Sequence, residues 1–213
     1  MNAPRLLPAR FEDWCDPERT ALLVYDMQVG VCRQVSGAAA VIERSRIALE
    51  AARRAGMRVV FTRHQSSPRP WLGAVQLRTA MAWQRVGSPE AVESWFQRGD
   101  GAAEIVPALS PRSDELVIDK FSMSALEGTP LATALRDCGV TGIAIVGVAV
   151  EIGIEPTVRH ATDLGFVPLM LADACGSGRA QAGARALETM RFIGEAVLGE
   201  VDDFARALAQ RVG

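Results

Sequence analysis

Ala21-Leu22-Leu23-Val24-Tyr25-Asp26 is an unbroken apolar run closed by a carboxylate. A strand without polar alternation has both faces covered, the habit of parallel sheets flanked by helices. Runs of the same kind follow at Met57–Thr62, Leu116–Asp119, Gly142–Gly147, Phe166–Ala172 and Ala196–Val201. Between them the periodicity predicts helices over Ala38–Ala55, Leu131–Cys138, Ile154–Leu164 and Ala180–Gly194, and a last one from Asp202. Gly56 stands where a glycine C-cap would end the first of these. Alternation of this kind predicts a three-layer α/β/α sandwich on a mostly parallel, doubly wound sheet of about six strands, as a single domain over residues 1–213.

In such sheets ligands bind outside the carboxyl ends of the strands, where the strand order reverses. Three ends carry unusual chemistry here. Asp26 closes the first strand, Lys120 closes Glu115-Leu116-Val117-Ile118-Asp119-Lys120, and Gly147-Val148-Ala149-Val150-Glu151-Ile152-Gly153-Ile154 leaves the fourth strand for a helix. Lys120 is the single lysine beside 22 arginines. A position that resists arginine needs a compact, movable ammonium rather than a planar fork, which a surface ion pair would not require. The polar stretch 64–101, with Trp71, Trp83 and Trp95, is too long for an ordinary connection. Short helices that cover the site are expected there.

Composition narrows the partners. A net charge of −2 leaves no basic face for nucleic acid, and no apolar run approaches the length that spans a bilayer, so a small molecule is the expected partner, with no nucleic acid and no membrane. Cys15, Cys32, Cys138 and Cys175 have no metal-binding spacing, and the first residues contain no apolar export signal. A reducing, cytoplasmic location is the simplest expectation.

Leu22-Leu23-Val24-Tyr25-Asp26-Met27-Gln28, the segment Lys120-Phe121-Ser122-Met123-Ser124-Ala125-Leu126-Glu127-Gly128-Thr129-Pro130-Leu131, Gly165-Phe166 and Asp173-Ala174-Cys175 together resemble the isochorismatase-like hydrolase superfamily. That group includes nicotinamidases, N-carbamoylsarcosine amidases and isochorismatase. The lysine segment matches K-x-x-x-S-A-F-x-G-T-x-L except that Leu126 replaces the phenylalanine. The resemblance implies Asp26 and Lys120 as catalytic residues, with the third position on the turn after the fourth strand. There the cysteine members read G-V-x-T-D-x-C-V, but this chain has Gly153 in place of the thiol, which removes covalent catalysis at that position. True isochorismatases also carry glycine there, in A-H-I-G, and hydrolyse a vinyl ether without a covalent intermediate.

A non-covalent route needs an acid. Enol or vinyl ether hydrolysis of a small anionic substrate is the expected reaction, with Asp26 the general acid or base, Glu151 the neighbour that would favour its protonated form, and Lys120 the group that orients acid and substrate. Gly153 is expected to leave room for water or a substrate oxygen, with backbone N–H groups at the helix start as donors. Gln28, His64, Gln65, Trp71, Trp83, Ala149 and Glu151 are the expected substrate contacts, Arg69 and Arg78 weaker ones. Amide or carbamoyl C–N hydrolysis by activated water or a relocated nucleophile, and a binding protein without turnover, are the alternatives. Cys175 is the candidate for a moved nucleophile. Ser124 lacks an activating histidine in its motif, and His160 reads as a packing residue. No cofactor or metal is expected, since the loop after the second strand offers His64 alone. The family implies a homodimer or homotetramer.

Overall fold

The computed structural model describes residue 8 and residues 10–212. The reading of the first residues as lacking an export signal, and the outermost ends of the 1–213 domain, lie outside the described residues. After a short helix α1 (Phe11–Trp14), β1 (Thr20–Tyr25) is buried along its whole length. The turn α2 (Val29–Cys32), the helix α3 (Ala38–Arg54) and β2 (Arg58–His64) follow. Gly56 ends α3 as expected: it takes φ +68°, and the Met57 N–H reaches back to the Ala52 carbonyl at 2.9 Å.

The long excursion between β2 and the next strand, which continues past residue 101 to residue 115, contains α4 (Ala74–Gln84) and four 3₁₀ turns, at Arg69–Trp71, Pro89–Ala91, Gly101–Ala103 and Pro107–Leu109. The chain continues as β3 (Leu116–Lys120), α5 (Leu131–Asp137) and β4 (Gly142–Val148). A π-helical turn, Val150–Ile154, runs directly into α6 (Glu155–Asp163). Then come β5 (Val167–Gly176), α7 (Ala180–Ile193), β6 (Val197–Gly199) and α8 (Val201–Val212). β5 runs past the predicted Ala172 because its register with β4 shifts between Ile145 and Gly147, which lets pairing resume at Cys175 and Gly176.

All the described strand pairs are parallel, in the order β3-β2-β1-β4-β5-β6, so the topological reversal lies between β1 and β4. Alternate side chains of β1 divide between two cores. Leu22 and Val24 join Ala48, Leu49 and Ala52 of α3 and Phe204 of α8. Ala21, Leu23 and Tyr25 join Leu131, Leu135, Val158 and Met190 from α5, α6 and α7. Burial on both faces is the reason β1 reads as a continuous apolar run.

Candidate active site

Asp26, at the reversal, takes φ +45°, a strained conformation for a residue with a side chain. Three hydrogen bonds hold it there. Its N–H donates to Thr62 Oγ1 at 3.2 Å, Thr62 Oγ1 donates back to Oδ1 at 2.7 Å, and Lys120 Nζ donates to Oδ2 at 2.7 Å. β2 supplies the threonine and β3 the lysine, so three neighbouring strands assemble the pair. Lys120 Nζ also donates to the Ser122 carbonyl at 3.1 Å and lies 4.5 Å above the Tyr25 ring. The lysine side chain is 0% exposed and that of Asp26 7%, so neither charge is left to bulk water. A guanidinium could not reproduce this packing, which explains why arginine is absent at 120.

Gly153 does reach the same place, but the space beside it is filled. A Cβ built on Gly153 would fall on the Tyr25 hydroxyl and would lie 2.5 Å from Cζ and 2.7 Å from Cε1. The phenol of Tyr25 therefore occupies the volume of a cysteine side chain at 153, and the expected room for water is absent. Tyr25 is buried, donates its hydroxyl to the Met123 carbonyl, and is held well above its ordinary pKa, first by burial and then by the Asp26 charge, so it is a neutral phenol. Thr157 Oγ1 ties the same corner together, donating to the Gly153 carbonyl at 2.7 Å and accepting from the Ala125 N–H at 3.0 Å. The donors expected at the helix start are also engaged. The N–H groups of Ile152, Gly153 and Ile154 all point at the Ala149 carbonyl, at 3.3, 3.0 and 3.2 Å.

A cavity of about 220 Å³ lies beside this cluster, under the excursion. Trp83, Trp95, Phe96 and Phe121 give it an aromatic wall, and His64, Gln65, Ser122 and Met123 line it toward the ion pair. Ser122 and Met123 face the cavity while their carbonyls receive Lys120 and Tyr25, so this segment is the partition between pocket and pair. Phe96 holds φ +50°, a second strained residue at the site, and its carbonyl accepts the Ser66 N–H. The His64 ring meets Trp83 and Phe96 edge-on, at centroid distances of 5.9 and 6.0 Å. Burial lowers its pKa from the ordinary 6.5 to about 4, while Asp26 and Lys120 act on it with opposite signs, so the imidazole is neutral near pH 7.

Of the expected contacts, His64, Gln65 and Trp83 line the cavity, and the others are placed differently. Gln28 spends its amide on structure: Nε2 donates to the carbonyls of His64 and Ala103, and Oε1 accepts the His64 N–H, which staples the excursion to β1 and β2. Trp71 is 80% exposed, outside the cavity. Glu151 turns from Asp26 to accept the Arg179 N–H at 2.7 Å, ahead of α7. Ala149 is buried beneath the turn and does not line the cavity. Arg69 holds the excursion closed by donating to the carbonyls of Val92, Pro89 and Glu90, and Arg78 is not among the lining residues.

His160 comes within 3.0 Å of Ser124 Oγ through Nδ1, a pairing invisible in the lysine segment alone. Ser124 Oγ also accepts the Leu126 N–H in a local turn, and neither residue lines the cavity. The Cys175 thiol donates to the Ile145 carbonyl and burial pushes its pKa far up, the opposite of an activated nucleophile. Among the described residues no three His, Cys, Asp or Glu side chains group as a metal site. No described helix is long and apolar enough to cross a membrane.

Tyr25 is the residue that sequence reasoning missed. It is the only tyrosine of the chain and stands in an otherwise aliphatic strand, one position before Asp26. A glycine where a thiol is expected, together with one outsized aromatic residue in the neighbouring strand, is the signal of volume exchange.

Residues 20–201 of this chain match the model of the isochorismatase domain. This chain is a member of the isochorismatase hydrolase family. It is 30% identical over 229 residues to the ureidoacrylate amidohydrolase RutB of Serratia proteamaculans, an alignment that covers 95% of this chain and 88% of that one. The structure of a cysteine hydrolase from Pseudomonas syringae pv. phaseolicola superposes with a TM-score of 0.77 at 25% identity, covering 92% of this chain and 94% of that one. The N-carbamoylsarcosine amidase of Thermoplasma acidophilum shares the fold, with a TM-score of 0.70 at 21% identity over 86% of this chain and 97% of its own.

Proposed function

We propose that this chain hydrolyses a carbon–nitrogen bond of a small molecule by direct attack of water, with Asp26 as the proton-transfer group and no acyl-enzyme. The observation that carries the reading is the Tyr25 phenol in the place of a nucleophilic side chain at 153. Water adds to the carbonyl carbon, Asp26 takes a proton from that water, and the proton passes to the departing nitrogen. Both Asp26 oxygens accept hydrogen bonds, from Thr62 and Lys120, which suits a base better than an acid that must already hold a proton. For that reason C–N hydrolysis, the bond type named for the RutB relatives, is favoured over protonation of a vinyl ether. Lys120 fixes the carboxylate and faces no substrate in the closed arrangement. Turnover requires the Ser122–Met123 partition to shift so that substrate in the cavity meets Asp26.

The enzyme is placed in the cytoplasm by the same proposal, supported by four free cysteines, and as a homodimer or homotetramer. Exposed Phe192 and Ile193 at the end of α7, and Leu116 and Val117 on the edge strand β3, are apolar surface that suits self-association.

A panel of small amides, ureides and vinyl ethers, with ammonia and carbonyl products followed separately, tests the reaction. Support would be amide or ureide turnover that survives iodoacetamide and falls by about 10²-fold or more in Asp26→Asn. An acyl adduct on Cys175 in the mass spectrum refutes the mechanism, and binding without turnover of any compound refutes hydrolysis.

A further inference from the structure

We propose that the cavity selects an uncharged molecule with a flat apolar body and an N–H donor, and that it rejects carboxylates; the inference rests on the reading that this cavity receives the substrate. The wall of Trp83, Trp95, Phe96 and Phe121 suits the faces and edges of a ring. The volume fits as well: a cavity of about 150 Å³ holds benzene, and about 220 Å³ leaves space for one polar substituent.

Charge decides the rest. Among the described lining residues none is lysine or arginine, and Glu93 at the exposed rim is the one that carries a formal charge at neutral pH. His64 is neutral there, and the Lys120 ammonium behind the partition is already neutralised by Asp26. A carboxylate entering this cavity would shed its water without gaining a cation, a transfer that strongly disfavours binding. Gln76 supplies the complementary clue. It lines the cavity, and its buried Oε1 has no hydrogen-bond partner among the described residues. An unmet buried acceptor calls for a donor, which a primary amide offers and a carboxylate cannot.

Benzamide and benzoate share one ring and differ in charge and in N–H donors, so they make the test. Their binding to the intact protein at pH 7.5 is measured by calorimetry and by the fluorescence of Trp83 and Trp95. Asp26→Asn is used in parallel so that benzamide is not consumed. Benzamide is expected to bind at least tenfold more tightly than benzoate. Gln76→Leu should weaken benzamide severalfold and leave benzoate unchanged, and Glu93→Gln should narrow the gap by improving benzoate. Benzoate binding as tightly as benzamide, or neither binding, overturns the proposal. Selective benzamide binding without turnover of any compound leaves the ligand class standing and removes hydrolysis. Turnover confined to anions does the reverse.

Discussion

Gly153→Ala is the substitution that tests the site most directly. Gly153 has no positive φ, and alanine within a helical turn is ordinarily better than glycine by about 0.5–1 kcal/mol. On backbone grounds alone the variant should gain stability. The new methyl group, however, would lie 2.5 Å from Tyr25 Cζ and 2.7 Å from Cε1, where carbon atoms normally rest about 3.5–4.0 Å apart. The ring must therefore retreat by about 1 Å, yet Met123, Lys120 and the surrounding core hold it. Overpacking of this kind costs about 1–3 kcal/mol, and losing the hydroxyl's bond to Met123 adds about 1 kcal/mol. Set against the backbone gain, the expected net loss is about 1–3.5 kcal/mol, read from urea unfolding and a fall in Tm. Tyr25→Val alone opens a cavity and should also destabilise. In the double variant each change relieves the other, so its loss should fall short of the sum of the single losses by about 2 kcal/mol. A Gly153→Ala protein as stable as the parent, or strictly additive losses, would refute the placement of Tyr25.

Lys120→Met should destabilise by about 3–5 kcal/mol, because it strands a buried carboxylate, and Lys120→Arg should also lose stability and turnover since the fork does not fit; urea titration and steady-state rates check both. Asp26→Asn is expected to lower kcat by about 10²-fold or more with the far-UV spectrum retained. The folded pKa of His64, about 4, lies below its ordinary 6.5, so the unfolded chain binds its proton first. Stability should therefore fall as pH drops from about 6.5 to 4, and the His64→Gln variant should lose that component of the profile. Alanine at Cys15, Cys32, Cys138 or Cys175 should leave turnover intact. Burial raises the first two thiols to about 12 and about 11, so none of the buried cysteines offers a thiolate at neutral pH.

Strand and helix order, the parallel sheet and the convergence of Asp26, Lys120 and Gly153 were legible in the chain because each rests on local pattern. Apolar runs buried on both faces, a glycine at a helix end and a lysine that resists arginine all announce their environments one residue at a time. The direction of a side chain beyond the strand end is different. Glu151 and Ala149 sit on a turn whose path decides whether they face Asp26 or α7, and Trp71 and Trp83 belong to an excursion whose packing decides which of them meets a cavity.

The vacancy at Gly153 shows the limit most clearly. A missing side chain establishes that no thiol can react there, and the sequence determines that alone. Whether the vacancy is space or is filled depends on which atoms approach across the reversal between β1 and β4, and a residue far earlier in the chain, Tyr25, supplies them. Chemistry that one residue forbids can be read from that residue. Volume belongs to every neighbour at once, and only the packed tertiary structure assigns it.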